Sequence, residues 1–217
     1  MSRPRRLLVV MAVVLAACGT RNAPAQGVTP EADSIGAAII PAGLGQLSQD
    51  VITLSLRSGT IELRFTPLDE RVTRLLAPDS YQALQVLLTR QAAALDSAYS
   101  RLGIRTPGVA MVSFHGLAPS SRFDPQLLTL TVNNQQLRPA GVIPLSPLFS
   151  AQQLDARDQA IGLFIFDEVI PVTEPFTLSY LDIRSDDWER RLTRMERERA
   201  RIKAKSGGAG SPEEGLD

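Results

Sequence analysis

The chain has 217 residues, of which 23 are basic and 23 acidic, with a single cysteine, a single histidine and a hydrophobic fraction of 44%. Balanced charge excludes a global basic field of the kind that draws in nucleic acid. One cysteine excludes an intrachain disulfide, and one cysteine with one histidine excludes the usual zinc-ligand sets, so the fold must be held by burial.

The N-terminus begins with "MSRPRR", placing Arg3, Arg5 and Arg6 before the apolar run "LLVVMAVVLAA", Leu7 to Ala17. That order, basic then apolar, is the pattern of a secretory signal peptide over residues 1–17. Eleven helical residues cover about 16 Å, short of a bilayer core of roughly 30 Å. A cleaved signal is therefore expected rather than a spanning anchor. Directly after it stands "LAAC", Leu15-Ala16-Ala17-Cys18. This stretch resembles the lipobox of bacterial lipoproteins, and the resemblance covers about the first 20 residues. It implies diacylglycerol on the Cys18 sulfur, cleavage before Cys18 and acylation of the new amino group. Several acyl chains, each contributing about 0.8 kcal/mol per buried CH₂, hold a protein durably where one does not. Gly19 stands where an aspartate tends to retain lipoproteins of enteric bacteria at the inner membrane, so the resemblance leans toward the outer membrane, facing the periplasm. Loss of Arg3, Arg5 and Arg6 leaves 20 basic residues against 23 acidic ones, a net charge of −3.

Residues 18–47 are rich in Ala, Gly and Pro and read as a lipidated tether. About 20 flexible residues give an r.m.s. reach of about 25 Å. "IGAAIIPAGLG", Ile35 to Gly45, is more apolar than a tether needs and reads as an edge segment lying along the domain. The domain itself is expected over residues 48–184. In "VITLSLRSGTIELRF", Val51 to Phe65, apolar and polar residues alternate. With Ser58-Gly59 as a two-residue turn, Ile52, Leu54, Leu56, Ile61, Leu63 and Phe65 share one face of a hairpin.

A helical insertion is expected over residues 68–103. It starts with a short helix from Leu68 to Ala77. After Pro78, Tyr81, Leu84, Leu88, Ala92, Leu95, Tyr99 and Leu102 follow at helical spacing, and Gly103 stands where a helix stops. A stripe this wide is expected to dock on the sheet. Strand patterns then resume at Val109 to His115 and at Leu127 to Val132. Asn133-Asn134 forms a turn into a return strand toward Val142-Ile143, placed at an edge by Pro139 and Pro144. Ala160 to Phe166 is apolar on both faces and reads as a central strand, and Phe176 to Ile183 as the last. About seven strands predict an α+β, mainly β protein: an immunoglobulin-like antiparallel β-sandwich with an inserted amphipathic helix and a C-terminal charged helix.

The C-terminal helix is expected over residues 185–205, capped by Ser185, with Asp186, Asp187 and Glu189 in its first turn and basic residues later, as the helix dipole favours. Asp186–Arg190 and Asp187–Arg191 are i,i+4 pairs in the favourable order. Its apolar stripe is thin: Trp188, Leu192, Met195 and Ile202. Trp188 anchors the first turn, and the far half reads as solvated and projecting. Trp188, Leu192 and Met195 are the side chains that would meet a protein partner, an anionic head-group surface being the other use of such a helix. Residues 206–217 read as a disordered tail.

Catalytic constellations fare poorly. Ser113 and His115 share a strand face, but positions i and i+2 are about 6.6 to 7 Å apart, which argues against a nucleophile–base contact. There is no G-x-S-x-G elbow, no P-loop and no G-x-G-x-x-G stretch. Asp182, Asp186 and Asp187 are the densest carboxylate group, yet capping explains two of them and EF-hand spacing is missing. Asp167, Glu168 and Glu174 border a Pro-rich turn and read as solvated loop charges. The sequence therefore assigns no catalytic, cofactor or metal residue and names Cys18 alone as a lipidation site. It points to a membrane-anchored envelope lipoprotein acting as a non-enzymatic binding or assembly module. The alternatives are an envelope hydrolase with a carboxylate-based site and a carrier of a hydrophobic ligand.

Overall fold

A computed structural model describes residues 40–207. The expected signal peptide, Cys18, most of the tether and the tail beyond residue 207 lie outside the described residues. The chain runs as β1 (Leu54–Ser58), β2 (Ile61–Pro67), α1 (Glu70–Thr73), α2 (Pro78–Leu102), β3 (Gly108–Gly116), β4 (Ser121–Arg122), β5 (Leu128–Val132), β6 (Gln135–Leu137), β7 (Pro139–Pro144), α3 (Leu148–Ala151), β8 (Gln153–Leu154), β9 (Gln159–Phe166), β10 (Thr177–Tyr180), β11 (Ile183–Ser185) and α4 (Asp187–Gly207). It is an α+β protein in which every strand pairing is antiparallel.

The β1–β2 hairpin forms as the alternation requires, with a different register. Leu54 faces Phe65, Leu56 faces Leu63 and Ser58 faces Ile61, so the turn is Gly59-Thr60 rather than Ser58-Gly59. Gly59, at φ +53°, takes the first central position, which a type II′ turn gives to glycine. The shift is two residues, one full strand period, so every apolar side chain stays on its expected face. Ile52 belongs to a 3-10 turn, Gln49–Ile52, and is buried there.

Two sheets result. One has the order β1-β2-β3-β9-β7, the other β11-β10-β5-β6; β4 and β8 form a small separate pair. The expected return strand after Asn133-Asn134 divides at Arg138: β6 pairs with β5, while β7 crosses to the edge of the larger sheet beside β9. Both asparagines adopt positive φ, 46° and 64°, as a type I′ turn demands. The stretch Phe176 to Ile183 is likewise a hairpin, turning at Leu181-Asp182 with Leu181 at φ 54°.

Aromatic rings join the layers. Phe114 of β3 stacks on Phe123 at 4.3 Å and meets Phe149, Phe164 and Tyr180 at 5.6 to 6.3 Å. Phe65 of β2 meets Phe166 and Phe176 edge-on. Such pairs add about 0.5–1.5 kcal/mol each beyond the area they bury.

The helices follow their sequence signals. Asp69 caps α1 by accepting the Arg71 N–H at 2.8 Å. Pro78 opens α2, and Gly103 closes it in the left-handed region at φ 69°. From α2 only Leu84, Leu95 and Ala98 are buried; Ala92 and Leu102, counted in the expected stripe, are exposed, although Leu102 rests over Gly141 of β7.

α4 does not project. Trp188, Met195 and Ile202 are 0%, 1% and 0% exposed. Trp188 stacks on Phe176 at 4.8 Å and donates its indole N–H to the Val172 carbonyl. Farther along, the helix is fastened by polar contacts. The Glu198 carboxylate accepts the Gln46 backbone N–H at 2.7 Å, Arg199 donates to the Arg71 carbonyl and Arg201 to the Leu44 carbonyl. Ile40 and Leu47 are buried too, and Leu47 pairs with Leu75 and Ala77, so residues 40–47 belong to the body rather than to a tether.

Candidate functional site

The polar face of the β1–β2 hairpin and its continuation across β3 form three rows of side chains. Arg57, Glu62, His115 and Gln159 make the first. Ser55, Arg64 and Ser113 make the second. Thr53, Thr66 and Met111 make the third, with the two threonine hydroxyls 2.8 Å apart. The N-terminal half of α4 runs beside this face and presents Asp187, Arg190, Arg191 and Arg194 at spacings of three and four residues, one side of a helix. Between the two lies an open groove of about 930 Å³, to which Gln49, Asp50 and Val51 also contribute.

The arginines of the groove are not equivalent. Arg190 is paired with Asp187. Arg191 donates to the carbonyls of Asp50 and Val51, fixing α4 to the turn before β1. Arg64 gives its Nε to Glu62 at 2.9 Å, while its terminal nitrogens make no hydrogen bond among the described residues. Arg194 makes neither a hydrogen bond nor an ion pair among them. The expected i,i+4 pairs at the start of α4 are thus replaced by one i,i+3 pair and by contacts to distant backbone. The helix begins at Asp187, with Asp186 in the position before it, and Ser185, the last residue of β11, accepts the Asp187 N–H at 3.3 Å.

Electrostatics follow from these neighbours. The Ser48 hydroxyl holds the Asp50 carboxyl below its ordinary value, helped by its own backbone N–H and by Arg194 and Arg191. Hydrogen bonds from Arg64 and then Arg57 do the same to Glu62. Burial, reinforced by Arg64 and opposed by Glu62, pushes the His115 imidazole below 6.5, so it is neutral near pH 7.

Ser113 and His115 correct the sequence expectation. The Ser113 Oγ and His115 Nε2 are 3.0 Å apart. The distance of about 7 Å separates the Cα atoms, and two side chains leaning along one strand close it. No group among the described residues hydrogen-bonds the other ring nitrogen.

The remaining sequence candidates are dispersed. Asp182 accepts from the Ser58 hydroxyl at 3.2 Å, and Asp187 pairs with Arg190. No cluster of three metal-ligating side chains occurs among the described residues. Asp167, Glu168 and Glu174 are exposed. Trp188 and Met195 are buried and Leu192 is half-buried against the core, so the face foreseen for a partner is occupied by the domain itself. Among the described residues no helix is long and apolar enough to cross a membrane. Compared with known protein families, with curated proteins and with solved structures, the chain shows no match.

Beyond the groove, Glu198 makes a testable site of its own. It is 8% exposed, and the Arg201 guanidinium, then the Gln46 N–H, hold its carboxyl below the ordinary 4.5. A depressed carboxyl contributes stability that is complete above 4.5 and lost as the pH falls through the folded-state value, because the unfolded chain takes up the proton first. The denaturant midpoint of the protein is therefore expected to fall on acidification from about pH 5 to pH 3, and less steeply in Glu198→Gln. Parallel curves for the two would remove Glu198 from the acid response.

Proposed function

We propose that the chain is a lipid-anchored envelope protein, held at a bacterial outer membrane by acyl groups on Cys18 and facing the periplasm. There it serves as a non-enzymatic binding module whose ligand lies in the groove between the larger sheet and α4. The anchor is supported by the "LAAC" stretch behind a basic start and an apolar run. One observation carries the binding reading: an open groove of about 930 Å³ lined by arginines and hydroxyls on two separate elements. That volume is in the range of ligand sites. The body that presents the groove reads as a two-sheet sandwich of the immunoglobulin-like class. Uniformly antiparallel pairing and the aromatic contacts from sheet to sheet support it; the β1–β2–β3 meander and the long α2 are its departures from the plain pattern.

Two measurements test this. Intact-mass spectrometry of the native product is expected to give a chain that starts at an acylated Cys18; an unprocessed start or a bare thiol there defeats the anchor. A photo-crosslinking residue at Ser55 of the full chain, in its native envelope, is expected to give products that the same residue at Arg90 of α2 does not. Equal yields at both positions defeat the groove.

The Ser113–His115 contact supports a second reading, a hydrolase that uses the serine as nucleophile, with the neutral imidazole as its base. Among the described residues no partner on the second ring nitrogen orients the imidazole, which ranks this reading second. A fluorophosphonate that modifies Ser113 in the full chain would promote it; an unmodified Ser113 would dismiss it. A carboxylate-based hydrolase has less support, since the Asp50 carboxyl is shifted down rather than up toward a general acid's range. A hydrophobic cargo has no support from so polar a groove.

A further inference from the structure

We propose that the groove is a phosphoryl-binding site, taking a phosphate group, carried by a soluble molecule or by a lipid headgroup, between Arg64 on the sheet and Arg194 on α4. This deepens the binding reading and rests on it.

The whole chain carries no net charge, yet the groove gathers four guanidiniums against two lining carboxylates, Asp50 and Asp187, and a third, Glu62, at its border in contact with Arg64. The excess is local, and it is divided by role. Arg191 is committed to the carbonyls before β1 and fixes α4 there, while Arg190 spends one nitrogen on Asp187 within the helix and Arg64 one on Glu62 within the sheet. Arg64 and Arg194, one on each side, keep unused donors.

The shape of the donor set separates phosphate from carboxylate. A carboxylate offers two coplanar oxygens, which one guanidinium fork satisfies. A phosphoryl group offers three outer oxygens in different directions, and needs donors from more than one side. The second row supplies that arrangement: Ser55 and Ser113 flank Arg64 on neighbouring strands, in register, the Ser55 hydroxyl open and the Ser113 hydroxyl shared with His115 Nε2 at 3.0 Å. Arg194 adds donors from the facing helix. Ser113, 8% exposed, and half-buried His115 form the sheltered end of that row, while Ser55 and Arg64 stand open to solvent. His115 next to Ser113 has its imidazole depressed partly by Arg64, the cation that a bound phosphate would neutralise.

The test titrates the full chain, carrying Cys18→Ser, with inorganic phosphate by calorimetry at low ionic strength, with acetate as the carboxylate comparison. Saturable phosphate binding is expected, tighter than acetate. Arg64→Gln and Arg194→Gln are each expected to weaken it about tenfold or more, and Arg90→Gln on α2 to leave it within about twofold. Both groove positions are exposed enough for the variants to fold, which thermal unfolding verifies. Glycerol phosphate that binds with the same Arg194 dependence assigns the site to soluble phosphates. Phosphatidic acid vesicles retained with that dependence, against phosphatidylcholine vesicles that are not, assign it to headgroups. Either result supports the proposal. It is overturned if phosphate does not saturate, if acetate binds as well, or if neither arginine variant differs from the parent. Should phosphate fail while crosslinking at Ser55 succeeds, the ligand class falls and the binding groove stands; if both fail, both fall.

Discussion

Trp188→Ala is expected to lower the stability of the protein by about 3–5 kcal/mol. Three losses combine. The indole is fully buried, so its removal leaves a cavity that the surroundings fill only in part. The stack on Phe176, 4.8 Å between ring centres, disappears. The Val172 carbonyl loses the indole N–H, and an unpaired buried acceptor costs about 1–3 kcal/mol within that total. Domains of this kind are stable by about 5–15 kcal/mol, so the change is a large fraction of the whole. Trp188→Phe keeps a ring against Phe176 and is expected to cost clearly less. Urea unfolding followed by far-ultraviolet circular dichroism measures both, since Trp188 is the only tryptophan and its fluorescence leaves with it. Hydrogen exchange is expected to quicken first along α4. A cost below about 1 kcal/mol would mean that α4 is not seated on the sheet. The groove loses its arginine wall with the same substitution, so ligand binding is expected to fall along with stability.

That helix shows where the sequence was legible and where it was not. Its start, within two residues, and the anchoring role of Trp188 follow from local signals. Its docking beyond Met195 follows only through Ile202, which continues the stripe and is buried; the rest of that seat is polar. Glu198 and Arg199 are buried against backbone groups of Gln46 and Arg71, more than a hundred residues earlier, and nothing in the helix announces those partners. The hairpin of β1 and β2 is the opposite case. Alternation set the faces, and a register error of one full period left them intact, since period-2 patterns are blind to such a shift. The break at Leu181 was invisible because a leucine in the left-handed region imitates a continuing strand. In the groove, Ser113 and His115 were visible as a pair, but Cα spacing understated what side chains reach. Arg64 and Arg194 are 130 positions apart and read separately as ordinary surface charges; only the placement of α4 beside the sheet's polar face brings them to one groove.

Phe114→Ala tests the other end of the architecture, the contact between layers. Phe114 is fully buried toward the C-terminal end of β3, with Phe123, Phe149, Phe164 and Tyr180 around it. These rings come from the β4–β5 connection, α3, β9 and β10, so a single side chain joins elements of both sheets and the segment between them. Truncation is expected to cost about 3–5 kcal/mol, and Phe114→Leu, which retains most of the volume, less than half of that. The two large substitutions should differ in kind. Trp188→Ala frees a peripheral helix and leaves the strand pairing of β2, β3 and β9 protected, whereas Phe114→Ala removes the shared centre, so exchange rises in both sheets together. The Ser113–His115 pair flanks Phe114 in sequence and points to the opposite face of the strand, by the alternation of β3. Its geometry depends on the strand and not on the ring. Phosphate affinity of folded Phe114→Leu is therefore expected to stay within about twofold of the parent, measured by the same calorimetry, while its unfolding midpoint drops. A loss of affinity in step with stability would show that the groove is shaped by the aromatic centre on the other side of the sheet and not by the polar face and α4.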